Sequence, residues 1–199
     1  MWALVESGSV NKIYTRPIQL TIGDIKYPRN IFEIWSESEL KAIGIYTVVI
    51  DNTNLKDSKY YINTNQSFNF ASDTVTASYG TATALPLDDI LFTAQDETDG
   101  LGTEGKVKQY GLKPRHKTVI NSQAGSILSD TDWMVIREAD GGTAMPSNIK
   151  TWRASVRTKA NDMCTQIDNA ADVDALAALY VYNNATPPVR PLGEFPELS

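Results

Sequence analysis

The sequence predicts an α+β protein with its strands in the first half and its helices in the second. Three observations carry this. Short apolar or alternating runs, separated by Gly, Asn and Asp, occupy residues 2–79. From residue 113 to 180 the apolar residues instead recur every three or four positions. Between the two patterns, residues 95–105 are acidic and contain glycine, which marks a boundary. The expected organisation is a β/α module over 1–50, an antiparallel β region with an acidic loop over 51–105, a helical domain over 106–182 and an extended proline-rich tail over 183–199.

The elements follow in order. Trp2-Ala3-Leu4-Val5 and Val10-Asn11-Lys12-Ile13-Tyr14 flank Ser7-Gly8-Ser9, so they read as a hairpin. Gln19-Leu20-Thr21-Ile22 and Ile25-Lys26-Tyr27 flank Gly23-Asp24 and read as a second hairpin, stopped by Pro28. Ser36 and Glu39 have the spacing of a capping box, with Trp35 and Leu40 placed as a hydrophobic staple and Gly44 as the C-terminal stop. One short helix is expected over residues 37–43. Ile45-Tyr46-Thr47-Val48-Val49-Ile50 is β-branched and is expected as a buried strand. After a polar loop, residues 60–62, 68–70 and 75–79 read as a small antiparallel sheet with one wet face, turning at Ser72-Asp73.

In the second half, Ile120, Ala124, Ile127 and Leu128 make one stripe of a helix over residues 113–128. Residues 130–133 end it, residues 133–136 are expected to run extended, and Gly141-Gly142 is expected to be flexible. Ile149, Trp152, Val156, Ala160, Met163 and Ile167 then form the seam of a second helix. A third, short helix is expected from Val173 to Tyr180. The helical part is thus a hairpin plus one short helix.

Composition narrows the function. A net charge of -6 disfavours nucleic acid and anionic membrane as partners. The charge is uneven: residues 1–105 carry 7 Lys+Arg against 14 Asp+Glu, whereas residues 106–182 carry 10 against 8. No run approaches the roughly 20 apolar residues of a membrane span. The N-terminus lacks the pattern of a signal peptide, so synthesis and assembly in a cytoplasm are expected.

One cysteine and one histidine cannot build a Cys/His zinc site or an internal disulfide. His116, in a basic helix start, is expected as a solvated surface residue, and Cys164 as a small apolar one. Gly100-Leu101-Gly102-Thr103-Glu104-Gly105 has the letters of a dinucleotide-binding turn, but the surrounding Asp96, Glu97, Asp99 and Glu104 would repel a pyrophosphate. The acids also lack calcium-loop spacing. Asp88-Asp89 is a solvated pair. The chain is expected to be non-catalytic, with no cofactor and no metal. One basic stripe stands out: Lys150, Arg153 and Arg157 at i, i+3 and i+7, with Lys159 nearby and no acid between residues 141 and 161. It is a candidate contact for an acidic partner or for the acidic front of another copy. Trp35, Trp133 and Trp152 are expected as structural anchors, the last two facing each other across the helical hairpin.

The order Ile127-Leu128, Thr131-Asp132-Trp133, Pro146, then Thr151-Trp152-Arg153-Ala154-Ser155-Val156-Arg157 resembles a domain of bacteriophage tail assembly chaperones and tail-fibre assembly proteins. The match spans roughly 30 residues, and its insert at residues 137–142 is longer and richer in glycine than the family pattern. Tyr27-Pro28-Arg29-Asn30-Ile31-Phe32, Trp35-Ser36-Glu37-Ser38-Glu39-Leu40 and Ile43-Gly44-Ile45 are similar to an N-terminal module of small phage proteins encoded near tail genes. The resemblance implies a tail or tail-fibre associated protein acting by protein–protein binding, as a virion component or an assembly chaperone. Its partners would be tail or tail-fibre subunits, or copies of itself. Its place would be the virion tail region or the host cytoplasm during assembly. The alternative is a receptor-binding tip, with Tyr60, Tyr61, Phe68, Phe70 and Tyr79 as a glycan platform.

Overall fold

Ser7 and Gly8 both take positive φ, and there β1 (Trp2–Glu6) turns back into β2 (Ser9–Tyr14). This is the backbone hand that matches the twist of a tight hairpin. The structure is a computed structural model, and residues 1–198 are described. The chain divides into two compact units, Met1–Thr83 and Ala84–Ser199.

In the first unit, β3 (Leu20–Ile22) and β4 (Ile25–Tyr27) form the second expected hairpin around Gly23. A single helical turn not anticipated from sequence, α1 (Ile31–Ile34), precedes α2 (Glu37–Ala42). The capping box of α2 is complete: the Ser36 hydroxyl accepts from the Glu39 N–H, and the Glu39 carboxylate accepts from the Ser36 N–H at 2.7 Å. Those contacts hold the Glu39 carboxyl below its usual range. Gly44 ends the turn with φ +81° and lies so close to the Val5 carbonyl that a Cβ would approach it to 2.9 Å.

β5 (Ile45–Asp51) pairs with β1 on one side. β6 (Tyr61–Ile62) pairs with the short β9 (Thr83–Ala84), while β7 (Gln66–Ala71) and β8 (Thr74–Tyr79) form a hairpin through positive φ at Ser72 and Asp73. β8 then pairs with β5 in parallel, with Val48 opposite Val75. One five-stranded mixed sheet results, in the order β2-β1-β5-β8-β7. The boundary expected at residue 50 therefore falls inside a sheet, and the region after it is not a separate antiparallel sheet. Parallel pairing between distant segments leaves no local signature, so it was not legible in the sequence.

The outermost strands, β2 and β7, approach each other, so the sheet curls. One face buries Leu4, Tyr14 and Ile45 against Leu20, Ile31, Phe32 and Leu40. The other buries Ala3, Val48, Val75 and Ala77, with Phe68 and Phe70 packed on them. β5 is only half buried, because Val49 and Ile50 are 53% and 54% exposed.

The second unit begins with β10 (Ile90–Leu91), α3 (Ala94–Thr98) and β11 (Val107–Gln109). The expected acidic loop is thus partly helical and strand-bound. Thr93 and Asp96 form a second capping box, and Lys108 bonds the same Asp96 carboxylate at 2.6 Å. α4 (Leu112–Ser129) and α6 (Ser147–Asp168) run antiparallel. Lys113 and Lys117 at the start of α4 reach Asp168 at the end of α6, and Arg153 near the start of α6 reaches Leu128 at the end of α4. Ile120 and Ala124 of α4 are buried, as are Val156, Ala160, Met163 and Ile167 of α6, which are the expected seam positions.

Residues 133–136 are not extended but lie within α5 (Asp132–Ala139). Nor is Gly141-Gly142 a loose connection. The Gly142 N–H donates to the Arg137 carbonyl at 2.9 Å and the Gly141 N–H to Glu138 at 3.1 Å, with Gly141 at φ +81°. This is a Schellman stop. α7 (Val173–Ala178) follows, capped by Asp172. The tail after it does not run free. Leu192 is wholly buried, its N–H donates to the Leu179 carbonyl at 3.0 Å, and the Trp152 indole donates to the Pro196 carbonyl at 2.9 Å.

Candidate interaction surface

The four basic residues of the α6 stripe have four different fates, because each meets a different neighbour. Arg153 is 8% exposed. Its guanidinium donates to the Leu128 carbonyl at 2.8 Å, to the Thr131 hydroxyl, and to the Asp132 carboxylate at 2.7 Å. It fastens the end of α4 and the start of α5 onto α6, so it is not available to a partner. Lys159 donates to the Leu192 carbonyl at 2.9 Å and holds the folded-back tail. Lys150 is half exposed and pairs with Glu138 of α5 at 2.5 Å. That hydrogen bond, with one from the Met145 N–H, holds the Glu138 carboxyl below its usual range. Arg157 alone is exposed without an ion-pair partner among the described residues.

The tryptophans also separate. Trp35 is half buried and meets Tyr27 edge-on at 5.9 Å, as an anchor should. Trp152 is half buried and ties down the tail. Trp133 does not cap a groove opposite it; it is 53% exposed, with the Arg137 guanidinium 4.8 Å from its ring centre. The reason is the helical conformation of α5, which turns Trp133 away from the α4–α6 seam.

No residue of α5 is buried. Trp133, Val135 and Ile136 are 53%, 44% and 62% exposed. An eight-residue helix that shows solvent Trp133, Val135 and Ile136, with only Met134 of its large apolar side chains half buried, has an unpartnered apolar surface. Beside it, a groove of about 350 Å³ is lined by Val135, Glu138, Met145, Lys150, Arg153 and Arg157. The surface of α5 thus offers aromatic and aliphatic contact at Trp133 and Ile136, residue types found at the centres of protein interfaces, although neither lines the groove. Sequence reasoning missed it by reading residues 133–136 as extended. The signal was present, since Trp133 and Ile136 are spaced i, i+3 and Gly141 stands where a helix stop belongs.

Other candidate residues are engaged locally. The His116 Nδ1 lies 2.7 Å from the Tyr180 hydroxyl, so the side chain is half buried rather than solvated. Burial, helped by Arg115, pushes its pKa down. Cys164 is half buried, and burial pushes its thiol up. Asp89 accepts the Gly111 N–H at 2.8 Å. The glycine motif at residues 100–105 follows α3 and leads into β11, so no helix starts on it. The described residues contain no group of three or more His, Cys, Asp or Glu placed to hold a metal ion. Among the described residues no helix is long and apolar enough to cross a membrane. Of the aromatic set, Tyr60 is buried and Phe68 and Phe70 pack on the sheet core, so the five rings do not form one open platform.

A wider groove of about 750 Å³ runs between α4 and the tail, lined by Thr118, Ser122, Gln123, Arg190 and Phe195 among others. Arg190 is already paired with Glu194 at 2.8 Å. No family model, curated protein or solved structure matches the chain.

Proposed function

We propose that this chain is a bacteriophage tail or tail-fibre associated protein that works by protein–protein binding rather than by catalysis, with the exposed face of α5 as its contact surface. The observation that carries the binding role is that α5 buries none of its residues in this chain while presenting Trp133, Val135 and Ile136. A helix so placed gains stability when a partner covers it, at about 25 cal/mol per Å² of apolar surface removed from water.

The tail assignment rests on the resemblance of the segment around Thr131-Asp132-Trp133 and Trp152-Arg153. Those residues belong to one junction, where Arg153 bonds both Thr131 and Asp132. The motif therefore reads as the device that sets α5 on the helical hairpin and leaves Trp133 presented. The inward packing of Phe68 and Phe70 favours contact through α5 over a glycan platform in the first unit.

A photo-crosslinking amino acid introduced at Trp133 tests this in infected cells. The expected product joins the chain to a tail or tail-fibre subunit. If no such product forms, and mass spectrometry also finds the chain absent from purified virions and assembled tails, the proposal is wrong.

A further inference from the structure

Beyond Leu192 the folded-back tail lies along α6 as a strap. Two side chains of α6 hold its backbone: the Lys159 ammonium donates to the Leu192 carbonyl at 2.9 Å, and the Trp152 indole donates to the Pro196 carbonyl at 2.9 Å. The two donors are separated along the helix by a rise of about 10.5 Å, which the four residues between the two carbonyls can span. The strap therefore runs opposite in direction to α6. Its two ends are held very differently. Leu192 is wholly buried and bonds the Leu179 carbonyl, so it is a fixed hinge. Past it, Phe195 and Pro196 are only half buried, and no backbone hydrogen bond joins residues 194–198 to the other described residues. Glu194 is bonded by Tyr182 and Arg190, but both belong to the tail and brace the hinge rather than fasten the strap to α6. The strap also underfills its place. In the groove of about 750 Å³ that Phe195 lines, Val119 is still 54% exposed, and a second space of about 420 Å³ lies between Pro196 and the first turns of α6.

We propose that the Trp152 side of α6 is a binding site for an extended aromatic–proline peptide, filled in cis by Phe195-Pro196, and that a partner segment of the same chemistry displaces the strap. The occupant follows from the segment seated there. An indole N–H that donates to a proline carbonyl binds the backbone of an extended chain, and the apolar groove beside it takes the neighbouring aromatic ring. Proline keeps such a segment extended before it binds, which lowers the ordering cost. Lifting the strap is a local opening, because it uncovers no buried residue and breaks no backbone pairing. This site lies on α6 and does not depend on the reading of α5 as a contact surface.

The indole N–H signals in NMR spectra of the full chain test the proposal. The chain has four tryptophans, and Trp152→Phe identifies the Trp152 signal by its loss. Phe195→Asp changes the strap and leaves α6 intact. It is expected to move the Trp152 signal and keep the other three in place. A synthetic peptide of residues 193–198 is the probe. Added to the Phe195→Asp chain, it is expected to return the Trp152 signal to its wild-type position. By fluorescence anisotropy, the same peptide carrying a fluorophore is expected to bind Phe195→Asp about tenfold or more tightly than wild type, because the strap competes in cis. A Trp152 signal that Phe195→Asp does not move overturns the proposal. So does a signal that the peptide fails to return, or equal affinity for the two chains. Phe195→Ser gives the same readings without an added charge, should Phe195→Asp fail to fold. A chain that crosslinks a tail subunit at Trp133 and fails these tests keeps its α5 role and loses this site.

Discussion

Two arginines one helical turn apart show how burial decides what a charge does. Arg153 is 8% exposed and its guanidinium satisfies a helix end, a hydroxyl and a carboxylate together. Removing it leaves the Leu128 carbonyl and the Thr131 hydroxyl without that donor, so Arg153→Ala should cost roughly 2–3 kcal/mol. Arg157→Ala should stay within about 0.5 kcal/mol, because Arg157 is exposed and makes no ion pair among the described residues. Urea denaturation of both variants checks the contrast. His116 gives a second test, made simple because it is the single histidine. Its folded pKa lies below the ordinary 6.5, through burial first and Arg115 second. The folded state therefore resists a proton that the unfolded chain accepts. Stability is full above about pH 6.5 and declines as pH falls from there through the folded pKa. A proton NMR titration should show one imidazole midpoint below 6.5; a midpoint at or above that value would contradict the burial.

At the scale of elements, helix ends were read well where a cap is local and poorly where tertiary contact sets the conformation. The Ser36–Glu39 box is complete within four residues, so its spacing was enough. Ser36→Ala should destabilise by about 1 kcal/mol, measurable as a lowered denaturation midpoint. α5 is the opposite case. Its conformation depends on the Arg153 bonds to Thr131 and Asp132 and on the Schellman stop at Gly141, and the first of these spans more than 20 positions. Because α5 contributes no buried residue, Trp133→Ala and Ile136→Ser should each change stability by no more than about 0.5 kcal/mol. Thermal denaturation of each variant checks this. A large loss would mean that these side chains are core after all, and the contact surface would have to lie elsewhere.

For the whole molecule, the division at Thr83/Ala84 predicts that unfolding is not a single all-or-none event. Calorimetry should resolve two transitions, with Ser36→Ala lowering one and Arg153→Ala lowering the other. A single transition moved by both substitutions would contradict independent units. The acidic and basic halves read from composition also change meaning at this scale. The first unit carries 7 Lys+Arg and 8 Asp+Glu and is nearly neutral, while the acid surplus is concentrated in residues 84–105 of the second unit. The charge asymmetry therefore lies within one unit.

The amino-acid order by itself determined the α+β class, the three hairpin turns of the first unit, the capped helix α2 and the α4–α6 seam. Each depends on φ preferences, capping groups or apolar spacing over a few neighbouring residues. Tertiary structure alone decided that β5 and β8 join one sheet, that the tail folds back through Leu192, that Arg153 is buried while Arg157 is free, and that α5 stands open. Those outcomes depend on which distant segments meet, and a carboxylate, a carbonyl or a helix end brought in from elsewhere in the chain turns the same side chain from a surface charge into a structural bolt.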